Sequence, residues 1–227
     1  MRQSTIEQST IVYKGTFTQM LPWLPIPGNK GFPNLCKGLG KHGLSPEGME
    51  LEAPSSRIND VVLTMSLLGD RLKLRLSYGW FEFLISNLYE GDEPGLIEIA
   101  NQLFATLREI DNEMSPSSGE YRSYAHLKMR PSQAEELIRE NLGNGVSSSL
   151  IPDAFAYQLT WNELNEADRA RIVVAKSLRF DDGLFVDLTI NYVSPDEPAQ
   201  MVERINQDYD RALGLLGLET VAKFDES

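Results

Sequence analysis

Apolar and polar positions alternate strictly through residues 71–78, where leucine or tyrosine occupies every even position and arginine, lysine or serine every odd one. A period of two is typical of a β-strand that buries one face. The preceding segment, 61–68, is also rich in strand-forming residues, and Gly69-Asp70 between the two suits a tight turn. We therefore predict a hairpin over residues 61–78.

A helical pattern follows this hairpin. Apolar residues recur every three or four positions between Pro94 and Ile110, and Leu103 lies at the centre of their stripe. Asp92 and Glu93 come directly before the stripe, where negative charge stabilises the positive end of a helix dipole. The sequence predicts a helix over 94–110 that buries Leu103.

The same order of elements recurs later in the chain. The triplet Asp92-Glu93-Pro94 returns as Asp196-Glu197-Pro198, ahead of a second amphipathic segment at 198–216. This segment predicts another helix, with Ile205 at the buried position equivalent to Leu103. Its predicted hairpin joins 171–180 to 184–192.

The first strand of each copy is also similar, with residues 155–161 echoing the end of an alternating segment at 9–23. We interpret the recurrences as an internal duplication within an α+β fold. Duplicated strand–hairpin–helix units would form a twisted antiparallel sheet with helices packed on one face. The first unit is expected at 1–147 and the second at 148–227, together one compact two-lobed domain.

A segment rich in glycine and proline interrupts the first unit at 28–56, and we predict a long loop there. The segment is locally basic, because it carries three lysines with no acid between them: Lys30, Lys37 and Lys41. Gly38 to Gly43 formally match a dinucleotide fingerprint, but no predicted strand precedes them and no long helix follows. We expect these lysines and His42 to bind an anionic group, the alternative being a mobile surface loop.

Two stretches support a resemblance to a known family. The sequence YRSYAHLKMRP at 121–131 leads to GLFVDLTINY at 183–192, and a long amphipathic helix follows. This arrangement resembles a sporadically distributed family of uncharacterised bacterial proteins. The resemblance implies a bacterial source and brings neither an activity nor catalytic residues.

Composition and charge restrict the setting and the partners. The chain has 227 residues, 41% of them hydrophobic, and a formal net charge of −12. Such an acidic chain is expected to repel nucleic acid and anionic membranes. No apolar run reaches the roughly 18–20 residues that cross a bilayer. The single cysteine, Cys36, forms no internal disulfide, so we expect a cytoplasmic protein.

Recognisable catalytic and metal-binding patterns do not occur in the sequence. Cys36, His42 and His126 show no ligand spacing, and no nucleophile elbow is present. We predict no catalytic residue, no metal and no cofactor. Asp187 interrupts an apolar strand; if its face is buried it needs a partner, for which Arg179 and Lys176 are in range.

Aromatic residues supply the remaining candidates for a site. Trp23, Trp80 and Trp161 lie at strand ends, where they could line an apolar groove or fill the core. The sequence favours a non-catalytic binding or protein-interaction module that docks a partner protein. The alternatives are a binder of an anionic or apolar small molecule and a carboxylate-based hydrolase or transferase.

Overall fold

The computed structural model describes residues 1–18, 20, 31–55, 57, 60–87, 91–110, 115–142, 156–161, 168–193, 195 and 197–221. Within them it has four α-helices: α1 (Gly31–Leu39), α2 (Glu93–Ile110), α3 (Gln133–Leu142) and α4 (Pro198–Leu215). The strands in the same residues are β1 (Arg2–Phe17), β2 (Met49–Glu52), β3 (Val62–Leu67), β4 (Leu72–Leu76), β5 (Trp80–Ser86), β6 (Pro116–Met129), β7 (Ala156–Trp161), β8 (Arg169–Lys176), β9 (Gly183–Tyr192) and β10 (Leu218–Thr220).

Hydrogen-bonded strands follow the order β2-β3-β4-β5-β1-β6-β9-β8-β7. The pairs β2–β3, β3–β4, β4–β5 and β7–β8 are antiparallel, and Met65 pairs with Leu74 in the predicted hairpin. The short β10 pairs with β1 in parallel. The prediction of an α+β fold with an antiparallel sheet is therefore confirmed, whereas the internal duplication stays a prediction.

The chain contains two compact units, and each is built from segments that are not consecutive in the sequence. The first unit contains Met1–Thr10, Arg122–Ile190 and Arg204–Ser227, and the second contains Ile11–Tyr121 and Asn191–Glu203. The sequence instead suggested consecutive units that meet at residues 147 and 148.

The core of the second unit corrects the prediction of a long loop at 28–56. Residues 31–39 form α1, Gly40–His42 and Pro46–Gly48 form 3-10 turns, and β2 follows. Leu35 and Leu39 are buried against the leucines of β3, β4 and α2. Gly38 lies where α1 meets α2, and a Cβ on Gly38 would lie 2.3 Å from the side-chain amide carbon of Gln102, so a larger residue requires that flexible side chain to move. The glycine content that suggested a loop thus permits close helix packing.

In the second unit, another strand directly follows the predicted hairpin. The structure confirms β3 and β4, and β5 follows them with Phe81 and Phe83 buried. Among the aromatics of β5, the sequence predicts only Trp80 as a candidate site residue, at a strand end. The alternation of Phe81 and Phe83 with half-buried residues such as Trp80 identifies them as the buried face of β5.

Helix α4 lies where the sequence predicted a helix, but its buried face is different. Met201, Asp208, Ala212 and Leu213 are buried, whereas Ile205 is only half-buried. The prediction that Ile205 matches the fully buried Leu103 is therefore wrong. A polar residue, Asp208, occupies the buried stripe, which an apolar pattern does not reveal.

Candidate functional site

The structure locates five of the seven predicted site residues; Trp23 and Lys30 lie outside the described residues. Lys37 is exposed near the end of α1. Lys41 Nζ lies 2.9 Å from Glu98 Oε2 on α2, so this lysine already has an acidic partner. The Lys41–Glu98 pair connects the segment after α1 to the helix beneath it.

His42 is a structural residue of the same segment. Its Nε2 lies 3.4 Å from Glu98 Oε2, and its backbone carbonyl accepts a hydrogen bond from the Leu68 amide at 2.9 Å. Burial lowers the pKa of His42, and the neighbouring Lys41 lowers it further, although Glu98 opposes both. The imidazole is therefore neutral near pH 7 and contributes little charge for an anion.

Trp80 is held by two cations of its own sheet. The Lys14 ammonium lies 4.6 Å from the ring centroid, and the Arg75 guanidinium carbon lies 5.6 Å from it. Arg75 is also paired with Glu82 at 2.7 Å. Trp161 lies on β7 beside Ala170, a buried residue of β8. Trp80 thus has cationic partners within its own sheet, and Trp161 is placed by its strand pairing.

A different group of side chains converges in the first unit, on one face of β6, β9 and β8. We call it the arginine cluster, and its members are Arg122, Tyr124, Arg171, Asp187 and Thr189. Strand alternation produces this face. The intervening residues of β9, Val186, Leu188 and Ile190, are buried on the opposite side of the sheet.

The two arginines meet at a single hydroxyl group. Arg122 Nε lies 3.5 Å from Thr189 Oγ1, and Arg171 Nη2 lies 3.4 Å from the same oxygen. Thr189 is only 6% exposed, so its hydroxyl is fixed beneath the guanidinium groups. Since β9 lies between β6 and β8, the strand order brings these distant residues together.

Asp187 supplies the carboxylate of the arginine cluster. Its Oδ2 lies 3.5 Å from Arg171 Nη2, and the Asp187 side chain is 19% exposed. Its Oδ1 is buried and has no hydrogen-bond partner among the described residues. The sequence expected Arg179 or Lys176 as the partner of Asp187, and this is wrong. Arg179 instead donates a hydrogen bond to Gln8.

The charges and contacts of the arginine cluster are unbalanced. Two guanidinium groups face one carboxylate, which leaves a formal charge of +1 in a chain of net charge −12. Arg122 has no ion pair within the described part of the chain, and its guanidinium carbon lies 5.8 Å from the Tyr124 ring centroid. The two arginines therefore have N–H donors without a strong partner, and they lie near an acceptor, Asp187 Oδ1, that has no donor among the described residues.

His126 borders the arginine cluster and supports the β8–β9 turn. Its Nδ1 lies 2.9 Å from Ser177 Oγ, which accepts hydrogen bonds from the backbone amides of Arg179 and Phe180. Because Ser177 Oγ already accepts two, we assign its own proton to His126 Nδ1. Burial lowers the pKa of His126, and Arg179 lowers it further. His126 is thus a neutral support near pH 7.

A cavity of about 230 Å³ lies in the second unit. Its lining combines one aromatic ring, prolines and a valine with polar side chains, namely Phe104, Pro116, Pro195, Pro198, Val193, Arg108, Ser115, Ser117 and Glu197. Arg108 and Glu197 form an ion pair with each other. The cavity can hold a small amphipathic molecule if this pair stays intact.

Sequence reasoning identified Asp187 but missed the arginines around it. The available signal was the alternation at 121–129, which places Arg122, Tyr124 and His126 on the less buried face of β6. Among the residues that the structure describes, no group of three or more His, Cys, Asp or Glu could hold a metal ion. No helix in the described ranges is long and apolar enough to cross a membrane.

Neither a family model nor a curated protein matches the chain. The side chains therefore supply the evidence for function.

Proposed function

We propose that this chain is a non-catalytic binding module that recognises an anionic group of a protein partner through the arginine cluster. The supporting observation is that Arg122 and Arg171 converge on Thr189, and that within the described residues Asp187 is the one carboxylate paired with them. The planar guanidinium group presents paired donors that match the two oxygens of a carboxylate or phosphate. A group of this kind can accept hydrogen bonds from both arginines.

The contact lengths favour binding over a purely structural ion pair. A structural arginine–carboxylate pair has N···O distances of about 2.7–2.9 Å. The three contacts within the cluster are 3.4 to 3.5 Å long, at the outer limit of hydrogen bonding. The arginines are close together but weakly satisfied, so an incoming anion gains their donors without breaking a strong pair.

The test compares two arginines of the first unit. Arg122→Gln removes a cluster donor, whereas Arg139→Gln removes the same charge from α3, where Arg139 pairs with Glu135 at 2.7 Å. Wild-type protein is titrated with acetate and with inorganic phosphate, with the melting temperature as readout. Ligand binding to the folded state raises the midpoint. We expect a shift in wild type and Arg139→Gln that Arg122→Gln loses; equal shifts in all three contradict the proposal.

The cavity of the second unit favours a second candidate, a small-molecule binder. Its polar serines beside Phe104 and three prolines suit an amphipathic molecule. Native mass spectrometry of the purified chain would detect such a ligand. If Ser117→Phe removes the ligand and Arg122→Gln retains it, the cavity is the site; the reverse result favours the arginine cluster.

A further inference from the structure

The arginine cluster contains an unused hydrogen-bond acceptor, Asp187, as well as unused donors on its two arginines. The acceptor and the donors together restrict the chemistry of the ligand. Resting on the proposed function, we propose that the anionic group is a carboxylate with an N–H on its adjacent carbon. A free amino acid and the last residue of a polypeptide share this chemistry. The carboxylate contacts the two arginines, and the N–H donates to Asp187.

Asp187 provides the hydrogen-bond acceptor for the ligand N–H. Its Oδ1 is buried without a hydrogen-bond partner among the described residues, while its Oδ2 lies 3.5 Å from Arg171. A buried acceptor that lacks a donor costs free energy, and a ligand N–H removes that cost. A simple carboxylate such as propionate cannot do so, because it brings no donor and is repelled by the Asp187 carboxylate.

The spacing of the two sides fits a small ligand. Asp187 and Thr189 are two residues apart on β9, so their side chains share a face at a separation of about 7 Å. In an α-amino acid the nitrogen is attached to the carbon next to the carboxyl group. With the carboxylate beside Thr189, where the two arginines meet, and one hydrogen bond of about 2.9 Å from the N–H to Asp187, such a group spans this distance.

Existing contacts, although long, keep both arginines near Thr189 before a ligand arrives. The Arg122 guanidinium lies over the Tyr124 ring, and Arg171 is held between Asp187 and Thr189. Side chains that are already ordered lose less entropy on binding. Asp187 also provides selectivity, since it favours a ligand with an N–H and disfavours one without.

The experiment titrates the full chain with three ligands that differ only at the α-carbon: propionate, alanine and N-acetylalanine. Alanine represents the free amino acid, and N-acetylalanine represents the last residue of a polypeptide. We expect one of the two nitrogen-bearing ligands to bind about tenfold more tightly than propionate by calorimetry, the gain of one charge-assisted hydrogen bond. Asp187→Ala should abolish this preference, so that all three ligands bind with about equal affinity, and propionate should still bind.

A second variant guards against misfolding and separates the two ligand sources. Asp187→Asn keeps the shape and an acceptor oxygen but loses the charge. It should abolish a preference for the ammonium of alanine and retain one for the amide of N-acetylalanine. Arg122→Gln should weaken all three ligands.

The two proposals fail differently. If propionate binds as tightly as both nitrogen-bearing ligands, this inference is overturned and the anion site remains. If the preference survives Asp187→Ala in a folded protein, the assignment of Asp187 is wrong. If no ligand binds, or if Arg122→Gln changes nothing, the proposed function itself is overturned.

Discussion

Gly15 on β1 lies directly against the ring of Phe81 on β5. A Cβ placed on Gly15 would be 2.3 Å from two carbons of that ring, closer than real Cβ contacts occur. Phe81 is fully buried and packs against Phe17, Phe83 and Phe104 at centroid distances of 5.2 to 5.8 Å. The Phe81 ring therefore cannot move away from a larger side chain, and close packing requires glycine at position 15.

Gly15→Ala should destabilise the protein by about 1–3 kcal/mol, the usual cost of one extra methyl in a filled core. Urea denaturation followed by circular dichroism measures this cost. Gly40→Ala is the matched control, because a Cβ on Gly40 meets nothing within 4 Å. An equal loss of stability in both variants would show that the contact with Phe81 is not responsible, because the smaller entropy of the unfolded chain by itself makes Gly→Ala stabilising.

The helices α2 and α4 should respond differently to truncation. Leu103 on α2 is fully buried, so Leu103→Ala should cost about 2–5 kcal/mol. Ile205 on α4 is only half-buried, so Ile205→Ala leaves a smaller cavity and should cost clearly less. Both values come from the same urea experiment. Equal costs would restore the equivalence that the sequence suggested.

The sequence predicts elements well where periodicity is strong and local. The alternation at 71–78 and the helical stripe at 94–110 correspond to β4 and α2. It fails at 31–39, where the apolar residues Phe32, Leu35 and Leu39 do follow a helical spacing, but among glycines and a proline. One of those glycines, Gly38, lies where α1 approaches Gln102 of α2, a tertiary effect that no local pattern contains.

The candidate site was less predictable than the fold, and the reason is topological. Arg122 and Arg171 meet only because β9 lies between β6 and β8. A period of two assigns each arginine to a strand face, but it does not say which strands are neighbours. The sequence predicted that Lys37 and Lys41 bind an anionic group, yet Lys41 is paired with Glu98 in the structure.

Tyr209 on α4 has a hydroxyl group whose removal should not harm the fold. Its oxygen is buried and has no hydrogen-bond partner among the described residues, and burial raises its pKa to about 12. Tyr209→Phe removes this unsatisfied group, so stability should stay unchanged or rise by about 1 kcal/mol. Tyr209→Ala, which also removes the ring, should be clearly destabilising. A marked loss in Tyr209→Phe would reveal a hydrogen bond to the hydroxyl.

The two histidines should make the fold sensitive to mild acid. Burial is the main cause that lowers the pKa of both His42 and His126 from the usual 6.5. In the unfolded chain their pKa returns to that value, so the unfolded state binds protons at a higher pH than the folded state does. Their contribution to the free energy of unfolding is therefore complete above pH 6.5, and it declines as the pH falls toward the folded pKa values.

Urea midpoints at pH 7.5, 6.5 and 5.5 should consequently decrease in that order. The carboxylates of Glu98, Glu135 and Glu140 have pKa values lowered from 4.5, so they affect stability in a separate and more acidic range. The double variant His42→Gln/His126→Gln is the control. Even if it is less stable overall, its midpoint should change less between pH 7.5 and 5.5, because no imidazole remains to take up a proton. A wild-type midpoint that is constant or rises over this interval would contradict the burial of both rings.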